Sequence, residues 1–285
     1  MGRAESDRGE TKDSAPESKM PDEREDAVDE QKRPNALIIH ETIRSEGESE
    51  LRRTVAALLL SGFAAGLSMG FSLIAQGLLQ SHLPETGWRH LITSLGYTIG
   101  FLIVVLGRQQ LFTENTLTPI LPLLHNRDLA TLGRVARLWV LVLVANLAAT
   151  WLISYAMFHT EVFDSEGRAA FLELSRHTVS SPFWTTCLKA VFAGWLIALM
   201  VWLLPAAEGS RLLVILVITY VVSLGDFAHI IAGSVDASYL VHAGAASFAD
   251  YVTRFLLPTL LGNVVGGVAL VGVLNYGQVA PEIED

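Results

Sequence analysis

The sequence has few charged residues and almost no cysteine, and both shortages restrict what the protein is. Of its 285 residues, 17% are charged and 51% are hydrophobic, and the mean hydropathy is +0.41. Soluble domains usually carry about 25% charged residues, so these values are typical of a polytopic membrane protein instead. The single cysteine, Cys187, lies in an apolar run. A disulfide framework and a cysteine-ligated zinc site are therefore excluded.

Motifs for catalysis are missing as well. The sequence contains no Walker A loop, no nucleophile elbow and no His or Cys pair with metal-ligand spacing. We therefore expect no enzyme activity and no cofactor. No basic stripe indicates nucleic-acid binding. The N-terminus lacks a basic region followed by an apolar one, so we expect no cleaved signal peptide.

Charge is concentrated at the N-terminus, where the first 50 residues hold 8 Lys/Arg and 15 Asp/Glu. Residues 1–35 have few large apolar side chains, and so cannot bury enough surface to offset the entropy of ordering. We predict a disordered acidic tail over 1–35 and an amphipathic interfacial helix over 36–53. A transmembrane domain over 54–276 and a short cytoplasmic C-terminal tail over 277–285 complete the predicted organisation.

Six apolar stretches are each long enough to cross a bilayer, which takes roughly 20 residues. They lie at 54–80, 91–124, 131–158, 183–206, 211–244 and 251–276. An even number of spans puts both termini on one side. The arginine balance favours the cytoplasm for that side: its short flanks carry Arg52, Arg53, Arg127, Arg134, Arg137 and Arg211, and the opposite flanks carry Arg89, Arg168, Arg176 and Arg254.

The second and fifth stretches are interrupted by polar residues. An unpaired backbone or a stray charge is costly inside lipid, so a helix broken at such residues usually lines a cavity. One break in each set of three spans predicts an inverted 3+3 repeat with a pore between the halves. Pro119 and Pro122 follow the first break, and predict a short or kinked helix there.

Thr113 and His229 are the candidates for the polar centre of this pore. His229 is flanked by glycines and small residues, and its unperturbed pKa of about 6.5 suits proton exchange near neutral pH. The hydroxyl of Thr113 both donates and accepts hydrogen bonds. A structural histidine between helices is the alternative for His229. A cap on the following half-helix is compatible with pore lining by Thr113.

Other residues of the breaks complete the candidate site. Leu111 and Phe112 are expected to form an apolar constriction. Arg108 needs a partner at membrane depth, and Glu114 and Asp226 are the nearest candidates in the sequence.

Polar residues in the fourth and sixth stretches have two interpretations. Lys189 either extends to the membrane interface or draws anions towards the pore mouth. Asn263 is expected to stabilise a broken segment by hydrogen bonds. Gly62, Gly66 and Gly70 lie at four-residue spacing and predict close helix packing.

Four segments in chain order resemble the formate/nitrite transporter family. Gln110-Leu111-Phe112-Thr113 is similar to its Glu-Leu-Phe-Thr segment, and Phe227-Ala228-His229 to its Phe-Glu-His segment. Lys189 to Trp195 is similar to the family's basic segment in the fourth span. The run 262–267 resembles its Gly-Asn-x-x-Gly-Gly segment in the sixth. The resemblance covers about residues 50–276 and is strongest to a divergent subgroup of the family.

The resemblance implies an aquaporin-like fold, a homopentamer with one pore per protomer, and a location in the bacterial inner membrane. It implies permeation of small monovalent anions, coupled to or gated by protons. Thr113 and His229 would face each other across the pore centre. Leu111, Phe112 and Phe227 would lie at its constrictions, and Lys189 would be the family's basic position.

Three departures affect the substrate more than the architecture. Gln110, Ala228 and Gly194 replace two acidic residues and one asparagine of the family pattern. Two other functions therefore stay open. One is a neutral-solute channel of the aquaporin type, although neither break contains an Asn-Pro-Ala motif. The other is a non-transporting membrane scaffold whose acidic tail docks a partner.

Overall fold

The computed structural model describes residues 35–283, and every regular element in that range is helical. The predicted acidic tail lies outside it except for Asn35. The helices are α1 (Ala36–Leu51), α2 (Val55–His82), α3 (Arg89–Leu106), α4 (Ile120–Asn126), α5 (Leu129–His159), α6 (Ser165–Ser175), α7 (Phe183–Leu203), α8 (Arg211–Leu224), α9 (Ala232–His242) and α10 (Phe248–Ala280). Helix α10 includes two π-helical stretches, Tyr251–Leu256 and Val265–Val273, and helical structure continues to Ile283.

Five helices within residues 35–283 are long and apolar enough to cross a membrane. They are α2, α3, α5, α7 with its short extension to Ala206, and α10. Helix α8 is apolar but has only 14 residues. The predicted all-α membrane fold is confirmed, whereas the count of six crossings and the inverted repeat remain predictions.

The two stretches that the sequence marks as broken are each divided into two helices. Helices α3 and α4 are separated by a segment over 107–119, which contains one short 3-10 turn, and α8 and α9 are separated by residues 225–231. Pro119 directly precedes α4, which has seven residues. The short helix predicted from the prolines is therefore observed. We call residues 107–119 the first break segment and residues 225–231 the second.

Small residues allow two pairs of helices to approach closely. A Cβ atom added to Gly66 of α2 would overlap the backbone of Asn146 in α5. A Cβ atom added to Gly194 of α7 would likewise overlap the backbone of Asn263 in α10. Small residues thus bring each asparagine-bearing helix against its neighbour, as close packing in lipid requires.

Helix α1 packs against both halves of the body. Its Ile39 and Ile43 are buried in one cluster with Leu117 and Leu121, which lie in the first break segment and α4. Its apolar face is therefore covered by the chain itself. The ring of His40 is also fully buried and lies 5.7 Å, centroid to centroid, from the ring of Tyr276.

His40 makes the docking of α1 sensitive to acid. Among residues 35–283, neither of its ring nitrogens has a hydrogen-bond partner, and burial lowers the pKa of His40 below its usual 6.5. A depressed histidine pKa means that the unfolded chain binds the proton more tightly, so stability is lost as pH falls through 6.5 and below.

We therefore expect His40→Leu to reduce the fall in melting temperature between about pH 7.5 and pH 5.5, because the buried imidazole no longer has to charge. Thermal unfolding of the purified protein in detergent measures this. His82→Leu changes an exposed histidine at the end of α2 and serves as the control. Equal acid sensitivity in the wild type and His40→Leu would contradict this account.

Candidate functional site

Both helices that precede a break segment end in the same way. At the end of α3, the backbone N–H groups of Arg108 and Gln109 donate to Val105 and Val104, at 3.2 and 3.0 Å. Arg108 adopts a left-handed backbone with φ 50°. This hydrogen-bond pair with a left-handed residue is a Schellman motif, which satisfies the last carbonyl groups of a helix.

The end of α8 repeats this geometry. The backbone N–H groups of Asp226 and Phe227 donate to Ser223 and Val222, at 3.1 and 3.0 Å. Asp226 is left-handed with φ 47°. Two segments with the same backbone path in the two halves of the chain are what an inverted repeat predicts.

One buried asparagine holds each break segment. Asn146 of α5 accepts from the backbone N–H of Phe112 at 2.9 Å and donates to the carbonyl groups of Gly62 and Gln110. Because no water is available in a bilayer core to bond a free backbone group, this side chain replaces the helical bonds that the break removes.

Asn263 of α10 does the same in the second half. It accepts from the backbone N–H of Ile230 at 2.9 Å and donates to the carbonyl groups of Ala190 and Ala228. The sequence predicted this role for Asn263 but missed it for Asn146. A polar residue inside the apolar run of α5 was the signal that could have found it.

The two break segments meet at Thr113 and His229. Thr113 Oγ1 lies 2.7 Å from His229 Nε2, and the two residues are 0% and 1% exposed. The ring of Phe101 packs edge-on against the imidazole, with centroids 4.9 Å apart. The pair selected from the sequence is therefore in direct contact.

The second nitrogen of His229 decides which way this bond runs. His229 Nδ1 accepts from the backbone N–H of Ala232 at 3.1 Å. In the neutral imidazole only one nitrogen carries a hydrogen, so Nε2 carries it and donates to Thr113. An imidazolium would place an Nδ1–H against the Ala232 N–H, and proton uptake would break that bond.

Two cavities flank this contact, and they share no lining residue. The upper vestibule, as we name it, has about 370 Å³, and its lining includes Lys189, Phe227 and His229. The lower vestibule has about 520 Å³, and its lining includes Gln110 and Arg211. Helices α3, α7 and α8 each contribute one end to each vestibule, so the cavities lie at opposite ends of these helices.

Buried residues close the path between the vestibules. Leu111, Phe112 and Thr113 are at most 2% exposed and line neither cavity. They follow Gln110, which lines the lower vestibule, and end at Thr113 against His229, which lines the upper one. The structure is thus closed at its centre.

The remaining candidates lie in the vestibules. Lys189, the one lysine in residues 35–283, and Asp226 line the upper vestibule, where Phe227 stacks on Phe192 with ring centroids 5.3 Å apart. Glu114 lines the lower vestibule.

The predicted partners of Arg108 are wrong. Arg108 pairs with Glu46 of α1 at 3.5 Å. Glu114 Oε1 is buried without a hydrogen-bond partner among the described residues. The left-handed backbone at Arg108 ends α3 at the vestibule, where the guanidinium is mostly exposed and does not need a partner within the span.

Asn146→Leu and Asn263→Leu are each expected to lower the free energy of unfolding. Each change leaves a break-segment N–H unpaired, which costs about 1–3 kcal/mol. Thermal or denaturant unfolding in detergent measures the loss. Asn126→Leu, at the exposed end of α4, is the control. A loss no larger than that of the control would show that the break segments do not depend on these side chains.

Comparison with known proteins identifies the family to which this chain belongs. The sequence model of the formate/nitrite transporter family matches residues 38–277. The Escherichia coli inner membrane protein YfdC is 40% identical over 259 residues, covering 90% of this chain and 84% of that protein.

Two solved structures have the same fold. A channel of the FNT family aligns with a TM-score of 0.73 at 18% identity, covering 84% of this chain and 98% of that one. A pentameric formate channel with formate bound aligns with a TM-score of 0.66 at 19% identity, covering 78% and 96%. The family match over most of the chain, the YfdC relative and the shared fold lead to one conclusion: this chain is a membrane protein of the formate/nitrite transporter family, related to its YfdC-like subgroup.

Proposed function

We propose that this protein moves small monovalent anions of the formate and nitrite kind through a path that joins the two vestibules past Thr113 and His229. The observation that carries the proposal is the buried contact of these two side chains between two separate cavities. Family membership and the likeness to a formate channel support the substrate class.

Entry from the upper vestibule depends on Lys189. A single ammonium group attracts an anion and raises its local concentration at the mouth. Helix α9 adds to this effect, because it begins at Ala232 beside His229 and the N-terminus of a helix favours negative charge.

The centre favours a neutral species over a bare anion. Moving an unpaired ion through an apolar constriction is costly, and Leu111 and Phe112 are buried there. Both vestibules also carry carboxyl side chains that repel an anion when they are ionised, among them Glu173 and Asp226 in the upper and Glu46 in the lower. A weak acid that crosses in its protonated form avoids both costs.

His229 links this step to pH. As a neutral imidazole it offers Nε2–H to Thr113 or to a passing solute. Binding a second proton requires the loss of the Ala232 bond at the start of α9, so proton uptake and local movement of α9 are coupled. Transport is thus proton-linked or pH-gated at this residue.

Family membership and the likeness to a pentameric channel support the proposed assembly, and the arginine balance of the flanks supports the proposed orientation. We propose a homopentamer with one pore per protomer in the bacterial inner membrane, with both termini in the cytoplasm. Residues 54–276 form the transport domain. Flux of a neutral solute that ignores the pH gradient would favour an aquaporin-type channel, and the lack of any flux would favour a membrane scaffold.

His229→Asn is expected to flatten the pH profile of formate uptake into proteoliposomes between about pH 7.5 and pH 5.5, since asparagine does not titrate there. The oligomer should still assemble, as judged by size-exclusion chromatography. His82→Asn, which changes an exposed histidine, should keep the wild-type profile. Identical profiles for the wild type and His229→Asn would exclude His229 as the proton-sensitive group.

Lys189→Gln is expected to raise the formate concentration at half-maximal rate by about tenfold, because the vestibule loses its electrostatic attraction. Lys189→Arg keeps the charge and should restore most of the apparent affinity. Added salt should weaken the wild type towards the Gln variant. Equal half-maximal concentrations for Gln and Arg variants would show that the charge plays no part.

A further inference from the structure

A carboxylate of α1 joins the two ends of the first break segment. Glu50 accepts a hydrogen bond from Thr118 Oγ1 at 2.7 Å and another from Gln110 Nε2 at 3.3 Å. Gln110 and Thr118 stand on either side of Leu111, Phe112 and Thr113. One side chain outside the predicted spans therefore fixes the segment that closes the pore.

The backbone of α1 is held against the same segment. A Cβ atom added to Gly47 would overlap the carbonyl group of Thr118. Ile43 and Leu51, on either side of Gly47, are 0% and 4% exposed. The position of Glu50 is therefore fixed by close packing of α1, in addition to its own hydrogen bonds.

Both the nitrogen and the oxygen of the Gln110 amide make hydrogen bonds. While Nε2 donates to Glu50, Oε1 accepts from Asn115 Nδ2 at 2.9 Å. Trp139 Nε1 in turn donates to the carbonyl group of Asn115 at 2.7 Å. Gln110 thus connects α1 to the interior of the break segment.

We propose that Glu50 is a positioning residue for transport: it supplies the carboxylate that anchors the first break segment, and so holds Thr113 in contact with His229. The inference rests on the proposed function, and it gives α1 a role in positioning the residues at the pore centre. Position 110 must then stay an amide, because a carboxylate there would meet that of Glu50.

Other charged groups lie around Glu50 in the lower vestibule. Glu46 lies one turn earlier on α1 and pairs with Arg108, and Glu114 belongs to the break segment itself. Arg53 and Arg211 line the same cavity. Burial raises the pKa of Glu50, and the hydrogen bonds from Thr118 and Gln110 act in the opposite direction. A further carboxylate beside it would therefore be poorly tolerated at neutral pH.

An exchange of the two side chains tests the proposal. Gln110→Glu alone places two carboxylates in contact. Combined with Glu50→Gln, it restores one carboxylate and one amide, and every hydrogen bond can form again with the roles exchanged. The Gln introduced at 50 would donate to the Glu introduced at 110, and would still accept from Thr118. Glu46→Gln combined with Gln110→Glu is the matched control, since it removes a nearby carboxylate that does not touch Gln110.

Melting temperature and the pH profile of formate flux are measured for all four proteins. Gln110→Glu should lower the melting temperature more at about pH 7.5 than at pH 5.5. Both carboxyl groups ionise as the pH rises, and the two negative charges then repel each other. The formate flux of this variant should fall by about tenfold at the higher pH. A change of that size lies within the interaction energies usual for two side chains in contact. The Glu50→Gln exchange should return both the melting temperature and the flux profile to near wild type, and the control should return neither.

The outcomes separate this inference from the proposed function. A wild-type melting temperature for Gln110→Glu, or equal rescue by the Glu46→Gln control, would overturn the role of Glu50. Rescue of the melting temperature without rescue of the flux profile would also overturn it, because Glu50 would then only stabilise the fold. If the wild type moves no weak acid, the proposed function fails, and transport positioning by Glu50 fails with it. The melting temperatures would then still show whether the carboxylate anchors the segment.

Discussion

The structure depends on satisfying the backbone where two helices are broken inside an apolar body. Lipid offers no hydrogen bonds to a free N–H or carbonyl group. Asn146 and Asn263 provide those bonds from neighbouring helices, and Gly66 and Gly194 let those helices come close enough to do so. Left-handed residues at the ends of α3 and α8 complete the arrangement.

The chemistry of the pore centre is less symmetric than its backbone. Each break segment begins at a Schellman motif and contains a carbonyl group that an asparagine of a neighbouring helix bonds. The side chains at the centre nevertheless differ. One half supplies Thr113 and the other His229, and the Ala232 N–H fixes the imidazole so that Nε2 donates. The repeated backbone thus places one donor, His229 Nε2, against one acceptor, Thr113 Oγ1, at the centre. The two vestibules also differ in their cationic side chains, since Lys189 lines the upper one and Arg53, Arg108 and Arg211 line the lower one.

Much of this could be predicted from the sequence because the relevant signals are local. Polar residues in apolar runs marked both breaks, and Pro119 and Pro122 predicted a short or kinked helix after the first, where the seven-residue α4 lies. Thr113 and His229 were selected by their positions in those breaks. Asn146 carried the same signal as Asn263 and was overlooked.

The partners of Arg108 and the role of Glu50 could not be predicted in this way. Both depend on the docking of α1 against a segment about 60 residues later in the chain, and a contact over that separation leaves no local pattern. The sequence suggested an interfacial helix over 36–53. That the apolar face of α1 would be covered by Leu117 and Leu121 required the tertiary structure.

The central claim is that weak monovalent acids cross past Thr113 and His229. The most direct measurement is stopped-flow flux of formate, nitrite, acetate, lactate, hydrosulfide and urea into proteoliposomes of the wild-type protein, with and without a pH gradient. The account predicts flux of small monovalent acids that increases when the outside is more acidic, and no flux of urea. Urea flux without acid flux, or acid flux that ignores the gradient, would contradict it.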